Sequence, residues 1–244
     1  MKDKYKYNLG LIGGMGTFAS LAFMRCLYDA QKGHIKNEQD FINTALLNIS
    51  DMPERGYALN TYNSGILLTR LQYAIDNLLY LNVSKFCILC YTMHLLVDDL
   101  SPRHASKFIS LVDATLNVVI NAKQKALLLA TTTVQSLKLF HKSKLWPQAS
   151  KYIIIPNDNH QNQIHKLIFD LKMTGQTEVI SKYINQLLIY YGINVWVTGC
   201  TELFLLINNN DMSIGKILHP IDITLNKVMK QDLALIKSNG LCVV

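Results

Sequence analysis

Two short segments of the chain each place a cysteine where a largely apolar, strand-like run gives way to polar, turn-like sequence. The first reads Cys-Tyr-Thr-Met-His and begins at Cys90, and the second reads Gly-Cys-Thr-Glu and contains Cys200. The runs that precede them are residues 86–89 and 193–197. Because the two cysteines occupy similar positions in the two halves of the chain, we expect their thiols to face each other across a cleft.

Two opposed thiols suit proton exchange at a carbon centre. Inversion needs a base on one face of the carbon and an acid on the other. One thiol would act as the thiolate, which a helix N-terminus or a nearby cation favours, while the other stays protonated. Backbone N–H groups and the hydroxyls of Thr92 and Thr201 could hold a substrate carboxylate beside the reacting carbon. This chemistry predicts Cys90 and Cys200 as the catalytic pair, and it requires neither a metal nor an organic cofactor.

Other interpretations of the cysteines stay open. Cysteine is among the residues most often buried in protein cores, and Cys26, Cys87 and Cys242 fit that role. A Cys90 nucleophile paired with His94 is a second alternative. His94, however, lies four residues along the same segment. The occurrence of two cysteines at two strand ends favours a functional pair over core packing.

The composition indicates a globular protein with a basic surface. Of the 244 residues, 50% are hydrophobic, and 24 Lys and Arg against 17 Asp and Glu give a formal net charge of +7. The basic residues form no long run, so we expect a field that favours anionic small molecules and no nucleic-acid partner. No uninterrupted apolar stretch of about 20 residues predicts a membrane span, so no membrane association is expected. The cysteine usage and the Lys- and Tyr-rich first residues predict a cytoplasmic protein without a signal peptide.

Short apolar runs alternate with segments of helical periodicity along the chain. This alternation is typical of α/β proteins with parallel sheets, in which ligands bind beyond the carboxyl ends of the strands. Several residues with useful chemistry follow predicted strands: Gly13, Gly14, residues 48–55, Cys90, Thr131 and Cys200. We therefore expect one composite site, in which the guanidinium of Arg55 could clamp a carboxylate.

These motifs together resemble the aspartate/glutamate racemase superfamily, and most closely its aspartate racemase branch. The two cysteine segments resemble the family motifs C-N-T-x-H and G-C-T-E. The segments 9–16 and 52–55 resemble its L-G-x-x-G-G-M-G and I-P-D-R motifs, and residues 220–222 resemble its closing proline-to-aspartate motif. The resemblance therefore runs nearly from end to end.

The resemblance implies a fold, a mechanism and a set of site residues. The fold would be two flavodoxin-like α/β subdomains with parallel sheets, related by a pseudo-two-fold axis, with the active site between them. The first subdomain would comprise residues 1–108 and 217–244, and the second residues 109–216. The mechanism would be cofactor-independent racemisation of an amino acid by two cysteines, in a homodimer. The residues implied near the substrate are Met15, Arg55, Tyr91, Thr92, Thr131, Thr201 and Glu202.

Several positions depart from the family pattern and bear on the substrate. Tyr91 replaces an asparagine, Val134 replaces a threonine at a strand tip, and Lys172 is the nearest candidate for a substrate-contacting lysine. Because both thiols are kept, the pattern favours an altered choice among aspartate, glutamate and related amino acids. Hydantoin racemase-like and maleate isomerase-like enzymes are alternatives on the same scaffold. A ligand-binding homologue without catalysis is the alternative from another class.

Overall fold

The chain folds into two parallel β-sheets flanked by helices. A computed structural model describes residues 7–61, 63–207 and 214–238. Each half of the chain supplies one sheet of four strands. This architecture confirms the predicted α/β class.

The first half contains strands β1 (Tyr7–Gly13), β2 (Thr44–Asn48), β3 (Val83–Ile88) and β4 (Phe108–Ile109). Its helices are α1 (Thr17–Asp29), α2 (Arg55–Asn60), α3 (Ser64–Tyr80) and α4 (Pro102–Ala105), with 3-10 turns at Glu38–Asp40 and Thr92–Asp99. The strands lie side by side in the order β2-β1-β3-β4, and every pairing is parallel.

The second half contains helix α5 (Leu111–Ala122) and strands β5 (Ala126–Ala130), β6 (Ile153–Ile154), β7 (Val195–Gly199) and β8 (Lys216–Leu218). Its other helices are α6 (Thr132–Ser136), α7 (Trp146–Ala149), α8 (Asp158–Thr174), α9 (Glu178–Tyr191), α10 (Phe204–Ile207) and α11 (Ile221–Ser238). Three 3-10 turns are at Leu139–Lys142, Ser150–Tyr152 and Thr201–Leu203. The strand order is β6-β5-β7-β8, again all parallel.

The two sheets repeat one topology. In each, the first strand of the sheet in chain order lies between the second and the third, and the fourth pairs with the third. The central strands β5 and β7 are buried along their whole lengths. Such continuous burial is typical of parallel sheets covered on both faces, which is why these strands are nearly unbroken apolar runs in the sequence.

A shared apolar core joins the two sheets. One cluster of buried side chains lies within the first half and one within the second, while a third contains residues of both. In the shared cluster, the ring of Phe23 on α1 meets the ring of Phe204 on α10 edge to face, with centroids 5.0 Å apart. Aromatic pairs of this geometry add to the free energy gained by burying their area. Helix α1 therefore fixes the first half against the segment that follows Cys200.

The C-terminal part of the described chain contacts both halves. Strand β8 pairs with β7, so the expected subdomain boundary at residue 217 falls inside a strand of the second sheet. Helix α11 packs against both α1 and α5. Two cysteines expected in the core, Cys26 and Cys87, are buried there, while Cys242 lies outside the described residues. Among the helices of the described ranges, none has the length and apolarity to cross a bilayer.

Candidate active site

The two cysteines occupy equivalent positions at the carboxyl edges of the two sheets. Cys90 lies two residues beyond the end of β3, and Cys200 directly follows β7. In each sheet the first and third strands are neighbours at the centre. The chain leaves the first strand toward one edge of the sheet, where the second strand lies, and leaves the third strand toward the other edge, where the fourth strand lies. Such a switch point leaves a crevice in which α/β proteins bind ligands.

Both thiols line one cleft between the two halves. The cleft holds about 380 Å³ of space outside protein atoms, part of it open to solvent. Cys90 is 7% exposed and packs in the apolar cluster of the first half, and Cys200 is 8% exposed and packs in that of the second. Each thiol therefore approaches the same space from its own sheet. Other lining residues predicted from sequence are Met15, Arg55, Thr92, Thr131, Lys172 and Glu202.

Glu202 controls the protonation of Cys200. The Cys200 thiol donates a hydrogen bond to Glu202 Oε2 over 2.8 Å. Burial raises the pKa of Cys200 well above its usual value, and the adjacent carboxylate raises it further because a thiolate would be repelled. Cys200 is therefore held as a thiol that can donate a proton into the cleft.

A glycine makes room for that carboxylate. A β-carbon on Gly16 would collide with Glu202 Oε1. The glycine that ends the Gly-Gly-Met-Gly motif therefore lets the backbone before α1 approach the carboxylate beside Cys200. This contact joins the N-terminal motif of the first half to the second cysteine motif.

Two cationic side chains line the cleft from opposite halves. Arg55 is buried, and its Nη2 donates to the carbonyl of Met15 over 2.8 Å. None of the ion pairs found in the described ranges includes Arg55. The Nζ atom of Lys172 on α8 lies 5.3 Å from the centroid of the Phe169 ring. Together the two cations can attract and orient carboxylates.

Glu54 supplies a carboxylate at the first-half wall of the cleft. It caps α2 by accepting hydrogen bonds from the backbone N–H groups of Gly56 and Tyr57. Burial raises the pKa of Glu54, but those two hydrogen bonds and the charges of Arg55 and Lys172 outweigh it, so the pKa lies below its usual value. Glu54 is therefore ionised at neutral pH and holds α2 in place.

Hydroxyl groups lie at the strand ends beside the thiols. Thr92 begins the 3-10 turn after Cys90, and Thr131 follows β5. Both line the cleft with Thr133. Thr131 also caps α6, since its Oγ1 accepts a hydrogen bond from Val134 N. These groups can bind a polar substrate beside the two sulfur atoms.

Two predicted substrate contacts lie away from the cleft. The Tyr91 side chain is 1% exposed, and its hydroxyl lies 2.6 Å from Thr115 Oγ1 in the shared core. The Thr201 hydroxyl donates to the carbonyl of Leu89 over 3.2 Å, which connects the two cysteine segments. Neither side chain lines the cleft. Tyr91 has helical backbone angles (φ −59°, ψ −42°). The alternation of side chains along a strand therefore does not predict the direction in which the Tyr91 side chain points.

His94 does not pair with the Cys90 thiol. The backbone N–H of Leu111 donates to His94 Nε2 over 3.0 Å, so the ring proton lies on Nδ1, which donates to the Cys90 carbonyl over 3.0 Å. Burial lowers the pKa of His94 to about 4, so the ring is neutral at physiological pH. Because both ring nitrogens bind backbone groups, the structure does not support a Cys–His nucleophile here.

Sequence reasoning missed several residues of the cleft wall. These are Gly56, Ile168 and Phe169, while Glu54 falls within the expected range 48–55 and Thr133 within the polar tip that follows β5. Three of the lining residues, Ile168, Phe169 and Lys172, share one face of α8 at helical spacing. The helical spacing of Ile168 and Phe169 relative to Lys172 could have indicated from the sequence that these two residues line the cleft. Within the described part of the chain, no group of three or more His, Cys, Asp or Glu side chains is placed to hold a metal ion.

Solved structures of racemases share this fold. The Picrophilus torridus aspartate racemase matches with a TM-score of 0.76 at 20% identity, over 91% of this chain and 93% of that one. A Francisella tularensis subsp. tularensis SCHU S4 glutamate racemase, solved with D-glutamate, gives 0.60 at 14% identity, over 97% and 83%. Klebsiella pneumoniae allantoin racemase gives 0.53 at 12% identity, over 97% and 89%. The two parallel sheets with flanking helices are therefore a fold that this chain shares with solved racemases.

A match to a family profile establishes the family of the chain. The family profile described as Asp/Glu/Hydantoin racemase matches residues 12–228, which is most of the chain. The chain therefore belongs to the Asp/Glu/hydantoin racemase family, and this membership implies an isomerase-type enzyme. The resemblance inferred from the motifs is confirmed.

Replacing Glu202 should make Cys200 more reactive. Glu202→Gln keeps the size of the side chain but removes the charge that disfavours the thiolate, so the pKa of Cys200 should fall. The rate of Cys200 alkylation by iodoacetamide near about pH 8, followed by peptide mass spectrometry, should rise about tenfold, which corresponds to about one pKa unit.

Glu54→Gln is the matched control for this experiment. Its carboxylate also lines the cleft but bonds to the amides of α2, so the Cys200 rate should stay unchanged. An equal Cys200 rate in the parent and in Glu202→Gln would show that the carboxylate does not control the thiol.

Proposed function

We propose that the protein is a cofactor-independent racemase that inverts the Cα of aspartate, glutamate or a related acidic amino acid. The observation that carries the proposal is that two thiols, from equivalent strand ends of two sheets with the same topology, line one cleft. A carbon held between them would meet one sulfur on each face. Proton exchange at such a carbon is the chemistry that two opposed thiols can perform without further groups.

The protonation of Cys200 suggests how the cycle begins. In the proposed step, a Cys90 thiolate removes the Cα proton, and the electron pair of the broken C–H bond stays on the substrate as a carbanion conjugated with its carboxylate. The Cys200 thiol then gives its proton to the opposite face of Cα and becomes the thiolate. The opposite enantiomer reacts in reverse, with Cys200 as base. The hydrogen bond from Cys200 to Glu202 supports the assignment of Cys200 as the acid in the free enzyme.

Two cations line the cleft beside the carboxylates of Glu54 and Glu202, and these cations support an acidic substrate. Arg55 and Lys172 line the cleft from the two halves, and an amino acid with two carboxylates can occupy both cations at once. A hydantoin ring carries no such pair of carboxylates. Tyr91 lies outside the cleft, so its replacement of an asparagine gives no support to a larger or less polar substrate.

Incubation with a panel of L-amino acids in deuterated water tests the function. We expect deuterium at Cα and appearance of the D-enantiomer with aspartate or glutamate. Cys90→Ser and Cys200→Ser should each lower the racemisation rate by at least about 100-fold, the low end for loss of a general acid or base. Cys26→Ala, which changes a buried cysteine that does not line the cleft, should keep the parent rate.

Other outcomes of the panel would identify the alternatives. Racemisation at the parent rate by either serine variant would remove that cysteine from the mechanism. A covalent adduct on one cysteine without Cα exchange would favour maleate isomerase-like chemistry. Binding of an amino acid without exchange would favour a ligand-binding homologue.

Removing the Lys172 charge should weaken binding of a dicarboxylate. Lys172→Met should raise KM for the acidic substrate roughly 10- to 100-fold, because a hydrogen bond to a charged group contributes about 1.5–3 kcal/mol. Steady-state kinetics with the substrate found in the panel measure this change. Lys166→Met alters an exposed lysine of the same helix that does not line the cleft, and it should leave KM unchanged. An unchanged KM in Lys172→Met would show that the ammonium does not bind substrate.

A further inference from the structure

The side chain that follows Cys90 reaches across to the other half of the molecule. Tyr91, Thr115 and Thr198 are all essentially excluded from solvent, at 1%, 1% and 0% exposure. The Tyr91 hydroxyl lies 2.6 Å from Thr115 Oγ1 on α5, and α5 packs against β7, the strand that contains Thr198. Thr198 precedes Cys200 by two residues. One phenol therefore links the Cys90 segment to the helix that packs on the strand before the other thiol.

The ring of Tyr91 is held as firmly as its hydroxyl. It stacks on His94 with centroids 6.0 Å apart and lies 5.8 Å from Phe140 of the second half. His94 in turn bonds the Cys90 carbonyl and the backbone N–H of Leu111. Leu111 and Thr115 lie one turn apart on α5. The Cys90 segment is thus attached to α5 at two successive turns.

Proton transfer at a carbon depends steeply on the placement of the base. A displacement of about 1 Å can lower the rate roughly 100-fold, even when the change is remote from the reacting atoms. Buried polar networks whose members are all hydrogen-bonded fix a single geometry. The network of Tyr91, Thr115 and His94 has this character, and it joins the neighbour of one thiol to the helix packed on the strand before the other.

We propose that Tyr91 is a positioning residue that sets the separation of the Cys90 and Cys200 sulfurs before substrate binds, by bonding Thr115 on α5, the helix that packs against β7. This inference rests on the proposed racemase function. It assigns Tyr91 a role opposite to that expected from the sequence, since the side chain holds the protein together and does not touch the substrate. The cleft is therefore preorganised by a phenol where the family motif has an asparagine.

Two conservative variants test the role of the network. Tyr91→Phe removes one hydroxyl and keeps the ring, and Thr115→Val removes its partner with little change of shape. Each should lower kcat about tenfold or more while KM stays nearly constant, because the thiols and not the substrate contacts are displaced. The double variant should be little worse than either single one, since both break the same hydrogen bond. Tyr73→Phe, on the exposed face of α3, should match the parent.

A readout that does not depend on activity separates positioning from mere stability. The short bridging electrophile 1,3-dichloroacetone should join Cys90 to Cys200 in the parent, and peptide mass spectrometry measures the yield. Tyr91→Phe and Thr115→Val should lower the yield at a temperature where thermal unfolding shows both variants to be folded. If Tyr91→Phe and Thr115→Val keep the kcat and the cross-linking yield of the parent and only lower Tm, Tyr91 contributes to stability alone and the proposal is overturned.

The two proposals can fail separately. A parent protein that exchanges no Cα hydrogen in the amino-acid panel would contradict the racemase function, while the cross-linking yields would still decide the role of Tyr91. If the reagent cannot join Cys90 to Cys200 in the parent protein, the separation of the two sulfurs is not set before substrate binds, and the Tyr91 proposal is contradicted.

Discussion

The apolar core shared by the two sheets is the constraint on which the rest of the structure depends. Each sheet alone offers one thiol at its carboxyl edge, and one thiol cannot reach both faces of a carbon. The core that contains Phe23 and Phe204 holds the two edges against each other, so that both thiols open into one cleft. Hydrogen bonds then refine this arrangement. Thr201 bonds the carbonyl of Leu89, and Tyr91 bonds α5, so each cysteine segment is attached to the opposite half.

The local electrostatics make the two thiols different although their positions are equivalent. Cys200 has a carboxylate partner in Glu202, which keeps the proton on sulfur. The Cys90 segment has no acidic residue at the corresponding position, where Thr92 stands. When only one of two neighbouring thiols is ionised, such a difference decides which of them keeps the proton. Arg55 and Lys172 line the same cleft, and in the proposed function they bind the carboxylates of the substrate.

The sequence predicted the parts of the site that follow from strand ends. Parallel sheets place the residues after their strands at one edge, so Cys90, Cys200 and Thr131 could be grouped from the apolar runs alone. The directions of Tyr91 and Thr201 could not be predicted in this way. Each follows a cysteine where the backbone leaves the strand for a 3-10 turn, and there the side-chain direction depends on tertiary packing. The wall formed by α8 was missed because this helix is far from Cys200 in the chain and comes beside it only when it packs on β5 and on the turn after Cys200.

The pattern of isotope labelling at low conversion tests the central claim most directly. The acidic amino acid identified as substrate, carrying ordinary hydrogen at Cα, is incubated with the enzyme in deuterated water, and the two enantiomers are separated early and analysed by mass spectrometry. If two thiols act on opposite faces, the product receives deuterium from one thiol, while recovered substrate keeps its original hydrogen because the other thiol returns the proton that it removed. Product that retains the original hydrogen, or equal deuterium in both enantiomers from the start, would indicate a single base and would contradict the account.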